Sequence, residues 1–297
     1  MNPHAVSIDV SISPDFQIIK DKLSKFSIYD FSNTEKINEY CELFSIKEIC
    51  KSVESDDYGT SSDDIVFSSD PENTGPYLIQ YDEICRLHYL CLTRKVLNTL
   101  EFGSGYSTAV MADAKRILSQ HFEPWAKENL RVSRPFHVYA VEEEQRYLEI
   151  TNQRVQGELS SFVTVSRSSV ELGTYDNHYA TYFSKIPNIS PDLILLDGPG
   201  QFSTTKEIQG FNLNDMCRMP MAADILTFEF FLEPGTLIVV DGRTANARFL
   251  KSYLRMNWVH HHDVDGDIHL FELQELPLGK FNAKKLNFCL NNNWLLK

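Results

Sequence analysis

Val96-Leu97-Asn98-Thr99-Leu100-Glu101-Phe102-Gly103-Ser104-Gly105-Tyr106-Ser107-Thr108-Ala109-Val110 is the stretch that decides the fold. A short apolar run (Val96, Leu97, Leu100) leads into Glu101. Gly103-Ser104-Gly105 follows, and then a helix-like pattern. The order reads as strand, tight glycine turn, helix. Such a turn lets backbone approach a nucleotide-like ligand closely. The helix is expected from about Ser107 to Gln120, with Ser107 or Thr108 helping to cap its start.

Working outward, the same alternation recurs. A helix over 77–95 leads into the first strand, about 96–101. Residues 121–134 read as an insert before a second strand, His137 to Val141, which ends in Glu142-Glu143-Glu144. A helix over about 145–159 and a third strand over 162–165 come next. Residues 166–190 read as a long polar segment. Asp192-Leu-Ile-Leu-Leu-Asp197 is the clearest strand, since its continuous apolar run suits a parallel strand buried on both faces. A helix over 219–232 precedes a fifth strand, Thr236 to Asp241, and another helix spans 245–256. Two last strands, 258–263 and 267–272, are joined by a short turn and read as a hairpin.

Five strands alternating with helices, closed by an antiparallel hairpin, predict a doubly wound α/β architecture. The sheet would be mostly parallel and seven-stranded, with right-handed crossovers. Residues 1–76 are loop-rich, with acidic stretches at 55–64 and 68–76, and read as an N-terminal appendage or cap. The Rossmann-like domain is expected over 77–275 and a C-terminal tail over 276–297.

Composition narrows the class. Among 297 residues the net charge is −13, which disfavours nucleic acid as a partner. No run approaches the roughly 18 apolar residues that span a bilayer, so no membrane association is expected. The first residues lack the basic and apolar regions of a secretory signal, and a cytoplasmic location is the expectation. The six cysteines are irregularly spaced without Cys-x-x-Cys, as buried free thiols are.

Ligands bind at the carboxyl ends of the strands in such sheets. Here those ends carry Glu101, Glu142, Asp197 and Asp241. Glu142 is placed to accept hydrogen bonds from both hydroxyls of a ribose. Asp197 and Asp241 could serve as general base, metal ligand or binder of substrate hydroxyls, and Arg243 could pair with one of them. In His260-His261-His262, neighbours on a strand point to opposite faces, which disfavours a metal site. His261 or His269 could still act as a base.

These features resemble the class I S-adenosylmethionine-dependent methyltransferases, which are Rossmann-like. The matching residues are Leu100 to Thr108, Glu142, Leu193 to Asp197 with Gly-Pro after it, and Thr236 to Asp241. The hairpin at 258–272 looks like that family's reversed last strand. The likeness covers about 77–273. It implies a transferase that uses S-adenosyl-L-methionine. Glu101, Gly103, Ser104, Gly105, Ser107 and Thr108 would surround the methionine part, and Glu142 would hold the ribose. Ser168 or Ser169 stands where the family often has an acid near adenine. Asp197 would face the sulfonium and substrate.

Asp-Gly-Pro after the fourth strand and Asp-Gly-Arg after the fifth look more like O-methyltransferases acting on a small molecule or sugar. In-line methyl transfer would then be assisted by a base: Asp197, Asp241 or His261. A divalent cation is not favoured, because a third ligand beside Asp197 and Asp241 is not apparent. A homo-oligomer stays open. The alternatives are an NAD(P)-dependent Rossmann oxidoreductase, which usually wants a small residue where Thr108 stands, and a non-catalytic methyltransferase-like interaction module.

Overall fold

The computed structural model describes residues 14–51, 79–215, 217–291 and 295. The acidic stretches at 55–64 and 68–76 lie outside the described residues. The strands are β1 (Asn98–Phe102), β2 (His137–Glu142), β3 (Val163–Arg167), β4 (Val170–Tyr175), β5 (His178–Phe183), β6 (Leu193–Leu196), β7 (Leu237–Asp241), β8 (Trp258–Asp263) and β9 (Ile268–Leu273). The α-helices are α1 (Pro14–Leu23), α2 (Thr34–Phe44), α3 (Ile46–Cys50), α4 (Tyr81–Thr93), α5 (Tyr106–Asn129), α6 (Gln145–Arg154), α7 (Asp224–Phe228), α8 (Thr244–Tyr253) and α9 (Lys280–Leu290).

Seven strands form one sheet in the order β3-β2-β1-β6-β7-β9-β8, and β4 pairs with β5 separately. β1, β2, β3, β6 and β7 run parallel, while β9 is antiparallel to both of its neighbours. This is the doubly wound, mostly parallel, seven-stranded sheet with an antiparallel C-terminal hairpin that the sequence predicts. Every residue of β1 and β6 is buried, as their apolar runs require. One sheet face packs on α4, α5 and α9, with Phe16, Phe31, Tyr40 and Ile46 of the N-terminal segment in the same core. The other face packs on α7, α8 and the β4–β5 hairpin.

The amino ends of the strands are locked by polar clamps. Asp192 accepts bonds from Leu97 N (3.1 Å) and Asn98 N (2.8 Å), and Lys285 of α9 lies 2.6 Å from its other oxygen. Arg94 and Glu272 form a buried pair at 2.6 Å. These clamps fix the scaffold at the end away from the candidate site.

Four local expectations need correction. The insert expected at 121–134 is mostly helix, because α5 continues to Asn129 through Pro124. An interior proline costs about 3 kcal/mol. Here burial offsets it: Phe122 meets Phe16 edge-on at 4.5 Å, and Trp125 stacks on Phe288 of α9 at 4.9 Å. The polar segment 166–190 contains the β4–β5 hairpin, closed by Asp176 and Asn177 at φ 47° and 63°. Both residue types tolerate that left-handed conformation, and a pair of them matches the twist of the flanking strands. The helix expected at 219–232 shrinks to α7 followed by a 3-10 turn at Glu229–Phe231. The tail after 275 forms α9, whose Leu286 and Phe288 join the core.

The described cysteines are all free thiols, with Cys217 alone exposed. Among the described residues, no helix is long and apolar enough to cross a membrane.

Candidate active site

The sheet order reverses at β1, with β2 on one side and β6 on the other. That switch point opens a crevice at the carboxyl ends of the strands. Glu101 of β1 is fully buried there. Ser107 Oγ donates to its Oε1 (2.5 Å) and Thr108 Oγ1 to its Oε2 (2.7 Å). Thr108 Oγ1 also accepts from Gly105 N (3.0 Å), so one hydroxyl ties the glycine turn to the helix start. Burial pushes the Glu101 carboxyl up to about 8, against the opposing pull of those two hydroxyl bonds.

The glycine turn is built against the loop after β6. Gly103 has φ 95°, and its N–H donates to Val141 O at 2.9 Å. Asp197 N donates to Phe102 O at 3.0 Å. A Cβ on Gly198 would meet Gly103 N at 2.6 Å and Phe102 C at 2.8 Å, both backbone atoms. Asp197-Gly198-Pro199 therefore crosses the Gly103 turn in contact, and only glycine fits at 198. Sequence reasoning missed this partnership, because the contact depends on β1 pairing with β6.

At the end of β2, Glu142 is buried. Ser104 Oγ donates to its Oε2 (2.8 Å) and Glu144 N to its Oε1 (3.0 Å). Ser104 Oγ also lies 3.1 Å from Thr151 Oγ1 of α6. A carboxylate offers about four lone-pair sites, so about two remain for incoming hydroxyls. Burial, then the neighbouring Glu143 charge, push Glu142 up to about 7. Glu143 reaches across the crevice, its Oε1 accepting from Gly200 N at 2.5 Å, while its Oε2 is buried without a hydrogen-bond partner.

The β6 and β7 ends are held differently. The Asp197 side chain is half exposed, and Arg243 Nε lies 3.7 Å from its Oδ1. Arg243 Nη2 donates to Pro199 O at 2.7 Å. Asp241 Oδ1 faces Arg86 Nη1 at 3.8 Å. Burial, reinforced by the Asp197 charge and opposed by Arg86, pushes Asp241 up to about 7.

Sequence reasoning also missed Arg86 and Glu83, which α4 brings beneath these ends. Arg86 is 1 % exposed, and its three guanidinium nitrogens have no hydrogen-bond partner among the described residues. Glu83 Oε1 is likewise buried and unpartnered. Burial, then the charges of Asp241 and Asp197, raise the Glu83 carboxyl well above the usual range. The available signal was an acid and a base one turn apart on an otherwise apolar helix face.

The remaining candidates are spread more widely. Ser168 is buried beside β2, its N–H donating to Glu142 O at 2.9 Å. Its Oγ accepts from Lys185 N (2.9 Å), and Ser169 Oγ donates to Ser184 Oγ (2.9 Å), so both serines fasten the base of the β4–β5 hairpin. His261 lies on edge strand β8, its ring 5.5 Å from Tyr29, and the structure does not bring it to Asp197 or Glu101. His260, His262 and His269 stack on the other face, with His260 Nε2 3.1 Å from His269 Nδ1. Burial lowers His260 and His269 to about 4. Among the described residues, no group of three or more His, Cys, Asp or Glu stands ready to hold a metal ion.

No family model matches the sequence, and no curated protein matches it. Solved structures of similar outline include the O-methyltransferase TomG from Streptomyces achromogenes, determined with SAM. It is 14% identical, over 67% of this chain and 82% of its own, with a TM-score of 0.37. The O-methyltransferase from Bacillus cereus, in complex with SAH, is 13% identical over 80% and 90%, with a TM-score of 0.34. The SAH-bound methyltransferase PaMTH1 from Podospora anserina is 11% identical over 91% and 100%, with a TM-score of 0.38. Values at this level transfer no residue role and no substrate. Strand order and the carboxylates at the strand ends carry the functional conclusion.

Proposed function

We propose that the chain is an S-adenosylmethionine-dependent methyltransferase acting on an oxygen of a small molecule. The observation that carries this is the placement of Glu101, Glu142 and Asp197 around the β1 switch point, in a sheet whose last strand is reversed. A dinucleotide-binding sheet of order 3-2-1-4-5-6 adds its last strand parallel at the edge. Here β9 enters antiparallel between β7 and β8, which favours the methyltransferase reading over the oxidoreductase.

The residues present fit this cofactor. Glu142 keeps lone pairs for the two ribose hydroxyls, and the positive end of the α5 dipole lies beside the glycine turn, where a carboxylate would be favoured. When bound, the cofactor supplies an electrophilic methyl group on a sulfonium. Asp197 would offer negative charge on that side, which aids binding of a cation more than rate. Asp197, half exposed and held by Arg243, is the carboxylate open to an acceptor. It would take the hydroxyl proton as the oxygen attacks, with Asp241 behind it. The crevice walls would hold the acceptor oxygen on the methyl side of the bound cofactor.

Thermal unfolding tests the reading. S-adenosylhomocysteine at about 100 times its Kd should stabilise the fold by about 2.7 kcal/mol. An unfolding temperature that does not respond to either S-adenosylhomocysteine or S-adenosylmethionine contradicts it.

A further inference from the structure

A cavity of about 110 Å³ opens between the β4–β5 hairpin and the loop that joins β6 to α7. Leu172, Tyr179 and Thr181 line it from the hairpin, and Phe211, Met219 and Met221 line it from the loop. Leu172 and Thr181 are directly opposed in the hairpin register, so their side chains share a face. Tyr179, two residues before Thr181, points to that face too. The Tyr179 and Phe211 rings are stacked, 4.8 Å apart and 22° from parallel. Arg218 packs its guanidinium 4.6 Å from the Phe211 ring and so steadies it, while donating to Asn212 O at 2.7 Å. The walls are thus aromatic and apolar.

Besides the Arg218 side chain, the Thr181 hydroxyl interrupts them. Thr181 is 1 % exposed, and its Oγ1 has no hydrogen-bond partner among the described residues. Buried hydroxyls are nearly always paired, so an unpaired one on an apolar wall marks where a ligand atom would bond. The cavity also adjoins the strand ends. Met219 Sδ lies 3.9 Å from Arg243 Nη1, and Arg243 Nε lies 3.7 Å from Asp197 Oδ1. A single guanidinium separates the cavity wall from the carboxylate assigned as base.

We propose that this cavity is the acceptor subsite, and that it takes a planar, largely apolar ring bearing one polar atom bonded to Thr181 Oγ1. This rests on reading the strand ends as a methyl-transfer site. Apolar cavities of about 150 Å³ hold benzene. Met219 and Met221, flexible and polarisable, can open a space of 110 Å³ by the remainder. A sugar, with a hydroxyl on nearly every carbon, would leave most of its polar groups unpaired here. The acceptor is therefore an aromatic ring rather than a sugar.

The test uses phenol as probe, titrated into methyl-labelled protein saturated with S-adenosylhomocysteine and followed by NMR. Saturable shifts are expected at the methyls of Leu172, Met219 and Met221. Leu172→Trp, which fills the cavity, should abolish them. Thr181→Val keeps the shape and removes the hydroxyl. It should weaken phenol about tenfold and toluene less than about twofold, with S-adenosylhomocysteine affinity unchanged. If Leu172→Trp fails to fold, the phenol-to-toluene ratio in Thr181→Val decides. Phenol shifts confined to other methyls, or an unchanged ratio in Thr181→Val, overturn the subsite while the cofactor reading stands. Failure of S-adenosylhomocysteine to bind wild-type protein overturns both.

Discussion

The two halves of the strand-end crevice differ in how the carboxylates that end their strands, Glu101 and Glu142 on one side and Asp197 and Asp241 on the other, are paired. On the β1–β2 side, each oxygen of Glu101 and Glu142 has its own donor from the protein. On the β6–β7 side, the ion pairs stand at 3.7 and 3.8 Å, and Arg86 and Glu83 carry unpartnered buried atoms. A preorganised set of donors suits a ligand of constant shape, such as a cofactor. Looser charges suit groups whose partners arrive with an acceptor or change protonation. On the proposed function, the contrast divides the crevice into a half that binds the cofactor and a half for chemistry.

The largest expected effect joins the halves. Gly198→Ala drives a Cβ into the Gly103 and Phe102 backbone and should cost about 3 kcal/mol in denaturant unfolding. A fully stable variant would mean that the two loops are not in contact.

Next, Glu142→Ala should weaken S-adenosylhomocysteine by about 30-fold or more in calorimetry, as expected for losing a charged acceptor of two hydroxyl bonds. Asp241→Asn, on the other side, should change it less than about twofold. Equal losses in the two variants would erase the division.

Smaller is a pH effect on the binding half. The Glu101 carboxyl is raised from its ordinary 4.5 to about 8. Between those values the native state holds a proton that the unfolded state has released, so stability falls as pH rises through this window. Glu101→Gln should flatten that fall and gain on wild type from pH 5 to pH 8. Parallel stability curves would show that Glu101 does not titrate as its burial requires.

Smallest, Asn177→Gly in the hairpin turn should add a few tenths of a kcal/mol, since glycine suits φ 63° there. Cofactor affinity should not move, because the hairpin lines the proposed acceptor subsite. A change in cofactor affinity would place the hairpin on the binding side instead.

What was legible in the sequence follows from how locally each feature is determined. β1, β2, β6 and β7 announce themselves because short apolar runs buried on both faces leave little else for the chain to do. The carboxylates of Glu101, Glu142, Asp197 and Asp241 could be placed at strand ends for the same reason. The helix expected to end near Gln120 runs on as α5 past Pro124, because aromatic contacts from α1 and α9, distant in sequence, hold it. The β4–β5 hairpin hid in a polar stretch, although Asp176-Asn177 is the turn pair it needs. Arg86, Glu83 and the Gly103–Gly198 contact depend on pairing and helix docking, which no single stretch encodes. Ser168 and Ser169 follow β3, and their hydroxyls bond to the hairpin base.

The central claim is that the crevice at Glu101 and Glu142 is built for S-adenosylmethionine. Calorimetric titration of wild-type protein with S-adenosylhomocysteine, and separately with NADH, tests it most directly. Binding of S-adenosylhomocysteine with a Kd on the order of micromolar and none of NADH is the predicted result. Binding of NADH, with no heat from S-adenosylhomocysteine, would contradict the account.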